Sequence, residues 1–159
     1  MTVSCFVHDF DYVQEHLRIL SGFYGVLKPM DGVTPYRLEM QAKAKIAGTV
    51  SLYDYWGDRL YRGVRDDSGL MINLASKEYS VCIEKYLQPE DRFIACIFGE
   101  LEGGRVMQKG VYAKMARGDM ARFMAENRVE DPEQLKAYDR MHYHFFEELS
   151  NEREYIFIR

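Results

Sequence analysis

The chain has 159 residues, of which 47% are apolar and 29% charged, and its formal net charge is −4. That length suits one domain with a core of its own, and the acidic balance argues against a surface coated in nucleic-acid-binding charge, though not against a local basic face. Cys5, Cys82 and Cys96 form no C-x-x-C pair, which argues against a disulfide framework or a four-cysteine zinc site and fits a reducing cytoplasm. No apolar run approaches membrane-spanning length, and the N-terminus lacks the basic-then-apolar pattern of a secretion signal. Fourteen per cent of the residues are aromatic, with twelve tyrosines; tyrosine serves cores and binding surfaces alike.

In chain order, residues 1–8 read as a short lead-in. Asp9 or Asp11 then caps a helix over about 10–21, whose apolar stripe is Val13, Leu17, Ile19 and Leu20. Gly22 falls where a left-handed C-terminal cap belongs, and Gly25 permits a second unusual backbone angle. Pro29 and Pro35 bias the residues before them away from helix. The stretch 15–40 is thereby expected to be a rigid connector carrying Arg18, Lys28 and Arg37. Residues 41–51 read as a loop or frayed helix, and 52–61 as a helix burying Leu52, Tyr55, Trp56 and Leu60. A charged turn at 63–69 precedes a buried strand at 70–74. Ser76 caps a helix to about Leu87, with Glu78 in its first turn. Residues 92–98 and 105–112 are expected to pair as a hairpin across 99–104. A helix follows over 114–126, with Met115, Phe123 and Met124 on its apolar side. Asp131 and Pro132 open a short helix, and the closing YIFIR is a last strand. Helices and strands are interspersed, so the predicted class is mixed α/β.

Four groups of residues could carry chemistry. The turn Ser21-Gly22-Phe23-Tyr24-Gly25, if it joins two helices, offers backbone N–H groups to DNA phosphates, with Arg18 and Lys28 alongside; it also suits an ordinary helix cap, and its glycines are three apart where the common hairpin has them two apart. The second group is a basic run. Arg105, Lys109, Lys114, Arg117, Arg122 and Arg128 face only Asp119 and Glu126, a local balance of +4, against −4 for residues 130–159. Such asymmetry suits a polyanion surface or a solvated helix face. The third group is polar: Arg37, Glu39, Asp58, Asn73, Ser76 and Glu78. Arg37 and Glu39 could lock the loop as a pair, and Asn73 and Ser76 flank a strand-to-helix junction, a common ligand position. No acid/base pair, activated nucleophile or phosphate loop can be named among them. The fourth group, His142 and His144 with Glu147, would share a strand face able to hold a metal, although a surface pair explains them as well. The cysteines read as small core residues.

HLRILSGFYGVLKPMDGVTPYRLEM (16–40), LYDYWGD (52–58), INLASKEY (72–79) and AKMARGDMARFMAENRVEDPEQLKAY (113–138) occur in an order that resembles the YaaA family of peroxide-stress proteins. The resemblance covers roughly Phe10 to the C-terminus, and the chain looks like the C-terminal part of such a protein, forming a single domain over 1–159. It implies a YaaA-like mixed α/β fold, here expected to lack strands of the family's N-terminal region and so to expose a sheet edge suited to self-association. It also implies a non-enzymatic, cytoplasmic protein, and the residues themselves point to no metal or cofactor. Such a protein would bind the backbone of double-stranded DNA without sequence preference and limit iron-driven peroxide damage. The contacts would come from a helix-hairpin-helix-like turn (Arg18, Ser21, Gly22, Gly25, Lys28) and a basic helix (Lys114, Arg117, Arg122, Arg128). The alternative is an enzyme or a phosphate or nucleotide binder using Arg37, Glu39, Asn73, Ser76, Glu78 and Arg117.

Overall fold

The structure is a computed structural model that describes residues 3–43 and 46–159, with side chains described from Asp9 onward. Two compact units divide it. The first takes the start of α1 (Val3–His16) through Tyr12, then Ile72–Leu74 and Arg92–Arg159; the second takes Val13–Met71 and Ala75–Asp91. The expected lead-in is therefore helical from Val3. Cys5 falls outside the described side chains, and Lys45 of the expected 41–51 loop outside the described residues.

The first unit is built on a mixed sheet. Among the described residues the strands run in the order β3 (Leu70–Asn73, of which Ile72 and Asn73 belong to this unit), β4 (Arg92–Glu102), β8 (Glu154–Ile158), β7 (Tyr143–Phe145) and β6 (Asp139–Arg140). The strand β5 (Arg105–Met107) pairs back on β4. The β4 and β8 strands run parallel, with Cys96 opposite Tyr155 and Phe98 opposite Phe157. A parallel pair needs a crossover, and here it includes α5 (Gly110–Asn127). The closing strand buries four successive residues, Tyr155 to Ile158, as a strand covered on both faces must.

Alternation on β4 sends Ile94, Cys96 and Phe98 to one face. Phe98 stacks on Phe157 at 5.0 Å and meets Tyr138 and Tyr143 edge-on. The buried face of α5 is Ala113, Ala116, Met120 and Ala125, three alanines that let a helix lie close to a sheet and one methionine that fills the space between. Met115, expected inside, is 53% exposed. The helix also starts earlier than expected, at Gly110, because only Arg105–Met107 pairs with β4. That hairpin turns on Gly103 and Gly104 at φ +56° and +77°, the left-handed pair that a two-residue turn requires, so β4 runs on to Glu102 and no longer loop is needed.

The second unit holds the largest departure from expectation. The helix α1 stops at His16, and Ile19–Ser21 (β1) pairs antiparallel with Gly25–Leu27 (β2). The Arg18 guanidinium donates to Leu17 O at 2.9 Å and to Gln14 O at 3.5 Å. Those acceptors lie at the end of α1, where carbonyls lose their helical partners. Beyond it, branched Ile19 and Val26 suit a pleated pair. The expected helix over 52–61 forms as two pieces, α2 (Leu52–Trp56) and α3 (Arg59–Val64), broken at Gly57 with φ +53°. Ser76 precedes α4 (Lys77–Glu84), with Glu78 in its first turn. Met40, Leu52, Leu60, Tyr61, Met71, Cys82 and Ile83 form this unit's buried set.

Candidate functional site

The second unit presents a built surface at the tip of the β1–β2 hairpin. Ser21 is buried, and its Oγ accepts the N–H groups of Phe23 at 3.2 Å and Tyr24 at 2.9 Å. The same oxygen shares a short hydrogen bond with the Tyr36 hydroxyl. One serine thus folds the tip and ties it to the 28–40 loop. The Tyr24 hydroxyl accepts the Thr34 N–H at 2.8 Å, a second tie between the same segments. Trp56 Nε1 donates to Gly22 O at 3.0 Å from below.

Gly25 sits at φ +81°, and a Cβ there would lie 2.8 Å from the Trp56 ring. The expected unusual angle is therefore present. Gly22 is not a left-handed helix cap: its φ is not positive, and the constraint on it is Leu38 O, 2.9 Å from where a Cβ would stand. The turn 21–25 joins two strands, so the helix-hairpin-helix expected there is replaced by a β-hairpin.

Three rings gather on this tip. Phe23, Tyr24 and Tyr36 have centroids 4.9, 5.3 and 5.4 Å apart. Phe23 and Tyr36 lie 31° from parallel, while Tyr24 stands edge-on to both at 80° and 79°. Phe23 is 57% exposed and Tyr36 43%. Met30 and Val33 on the adjoining loop are exposed as well. Lys28 and Arg37 are exposed on that loop and form no ion pair among the described residues. Glu39 is exposed too, and the expected Arg37–Glu39 pair is not made. The loop's far end is held by α4: Glu78 Oε1 accepts the Gln41 N–H at 3.2 Å, and Glu78 O accepts the Tyr53 hydroxyl at 2.9 Å. The Tyr79 hydroxyl is pushed above its ordinary pKa by burial first, then by the Glu78 charge.

The basic run of the first unit is largely spoken for. Lys109 pairs with Glu102. Arg122 Nε pairs with Glu126 at 2.7 Å, and Arg140 reaches the same carboxylate at 2.7 Å. Arg117 is half-buried, donates to Gln108 Oε1 at 2.8 Å, and has its pKa drawn down by burial. Lys114 is exposed, and Arg128 takes the left-handed position that ends α5. Lys114 and Arg117 thus differ: one projects into solvent and the other is half covered.

The polar group divides between the units. Asn73 and Arg117 belong to the first, and Arg37, Glu39, Ser76 and Glu78 to the second. Asp58 pairs with Arg62 at 2.6 Å, which holds its carboxyl below the usual value. The shared strand face that would have let His142 and His144 hold a metal is not formed, for a local reason. Met141 and His142 form the tight turn between β6 and β7, with φ +54° and +66°, so His142 and His144 do not alternate along one strand. Among the described residues no cluster of His, Cys, Asp or Glu suits a metal ion. Burial pushes the Cys82 thiol to about 11 and the Cys96 thiol to about 12, as befits small core residues.

Tyr36 was not singled out by the sequence reading. The signal available was an aromatic between Pro35 and Arg37, but its partner Ser21 lies 15 residues away, and nothing local announces that bond. No helix among the described residues is long and apolar enough to cross a membrane.

The family model described as peroxide stress protein YaaA matches residues 4–149. A UPF0246 protein of Agathobacter rectalis is 61% identical over 150 residues, which are 94% of this chain and 60% of that protein. A UPF0246 protein of Desulfitobacterium hafniense is 54% identical with the same coverage, and one of Limosilactobacillus reuteri is 48% identical over 99% of this chain and 64% of its own length. The chain therefore spans about 60% of the length of these curated relatives, and with the four motifs and the mixed sheet already in hand, it belongs to the YaaA (UPF0246) family.

Proposed function

We propose that this chain is the DNA-contacting part of a cytoplasmic, non-enzymatic protein of the peroxide-stress response. The peroxide role is taken from the description of its family. The observation that carries the DNA reading is the set of exposed aromatic rings at the hairpin tip together with exposed Lys28 and Arg37 on the adjoining 28–40 loop. Residues 18–43 hold Arg18, Lys28, Arg37 and Lys43 against Asp31 and Glu39, a local +2 in a chain of −4. Cations at such a surface neutralise phosphates whatever the sequence, duplex included. Lys114 and Arg128 on the first unit are the remaining candidate contacts; Arg122, tied to Glu126, is not. Protection would then follow from occupying DNA, and from limiting the iron chemistry that attacks it. The edge strand β3 supports self-association.

Duplex affinity measured across salt tests this. About four phosphate contacts give a slope of log affinity against log salt of about −3 to −4. Wild-type chain that fails to shift a duplex at about 50 mM salt, where such contacts are strongest, would refute it.

A second reading, a small-anion binder, is favoured by one observation. Arg117 Nε is buried without a hydrogen-bond partner among the described residues, a cation with unused donor capacity. Calorimetric titration with inorganic phosphate, against Arg117→Lys, decides it: heat that the lysine variant lacks supports the anion site.

A further inference from the structure

We infer that the Phe23–Tyr24–Tyr36 cluster is a base-stacking platform, so that this face binds unpaired DNA more tightly than duplex. This deepens the DNA reading above and rests on it.

The geometry separates the rings by role. Tyr24 stands edge-on to both others, and its hydroxyl is held by the Thr34 N–H. Phe23 and Tyr36 are the exposed pair, at 5.3 Å and 31°. The Phe23 backbone and the Tyr36 ring are both anchored. The Phe23 N–H and the Tyr36 hydroxyl are both fixed by the buried Ser21 Oγ, and Gly22 O is held by Trp56. A platform fixed before binding loses little freedom when a ligand arrives. Exposed aromatic faces, with two cations on the adjoining loop that form no ion pair among the described residues, suit a ligand with flat apolar rings and regular negative charge. A nucleic-acid strand supplies both along one chain. In a duplex the bases already stack on one another, so the rings gain nothing there and only Lys28 and Arg37 contribute. An unpaired strand engages rings and cations together.

Fluorescence anisotropy with a labelled oligothymidylate and a duplex of matched length, at about 50 mM salt, tests the inference. Base–aromatic stacking predicts about tenfold tighter binding of the single strand. Phe23→Ala removes that advantage, and Phe23→Trp restores it. Phe23 is exposed, so both variants are expected to keep the wild-type circular dichroism and melting temperature, measured alongside. Equal affinity for the two DNAs, unmoved by Phe23→Ala, overturns the platform while leaving the DNA reading in place. Binding to neither overturns both. A wild-type dimer in sedimentation that Phe23→Ala dissolves, without oligothymidylate binding, makes the rings a self-association surface and also overturns the inference.

Discussion

Single residues carry unusual weight in the second unit because several of its ties converge on one atom or one side chain. Ser21 Oγ serves two N–H donors and one hydroxyl. Ser21→Ala strands those donors at a buried position, which costs about 1–3 kcal/mol; urea midpoints of the two proteins measure it. Gly25→Val should cost about 2 kcal/mol or more, since it meets both a left-handed backbone and the Trp56 ring. Asp91 is the unit's acid-sensitive anchor. Its side chain is fully covered and accepts the Tyr61 hydroxyl at 2.6 Å, the Gln88 N–H at 2.8 Å and Arg65 Nε at 2.8 Å. Burial opposes its charge, but these hydrogen bonds prevail and hold its pKa below the ordinary value. A carboxylate depressed on folding adds stability above its unfolded pKa of about 3.9, and that stability is lost as pH falls through the folded value. Melting temperatures of wild type and Asp91→Asn should therefore differ most near neutral pH and converge on acidification; a constant difference would show that the charge is not what matters. The thiols carry the opposite sign. Cys82 and Cys96, raised by burial, stay protonated at neutral pH, and the native protein should resist iodoacetamide at both.

At the scale of elements, the sequence is legible where local signals and packing agree. The Asp131 cap on the 3-10 turn Pro132–Ala137, the β3 run and the closing strand lie where the residues place them, and α4 starts after Ser76 as expected, though the Ser76 side chain makes no cap hydrogen bond and the helix ends at Glu84. It is illegible where a distant partner decides. Leu17, Ile19 and Leu20 have helical spacing, yet Ile19 and Leu20 pair with Leu27 and Val26, and the only local hint of the stop is Arg18. On α5 the large residues suggested the inner face, but three of its four buried positions are alanines, and Met115 turns outward. This yields a contrast that stability measurements settle. Ala116→Leu overpacks a fully buried contact and should cost about 1–3 kcal/mol, whereas Met115→Lys, on the exposed side, should stay within about 0.5 kcal/mol of wild type. The order of sensitivities reverses if Met115 faces the core.

For the whole molecule, charge counted along the chain and charge presented in space diverge. The +4 of residues 105–128 is the strongest composition signal in the sequence, yet folding brings Glu102 to Lys109 and Glu126 to Arg122 and Arg140. Linear counting cannot see Glu102, which lies outside the run, or assign Glu126 to two cations at once. The +2 of residues 18–43 is weaker on paper, but there Lys28 and Arg37 are left to solvent. The distinction is measurable because counterion release counts only those cations that reach phosphate. Lys28→Ala with Arg37→Ala should make the salt slope shallower by about two units and weaken every sequence alike. Arg122→Ala should leave the slope unchanged, since its charge is already answered by Glu126. The reverse result, a slope that follows Arg122 and ignores Lys28 and Arg37, would move the DNA contact to α5 and leave the hairpin tip with a structural role alone.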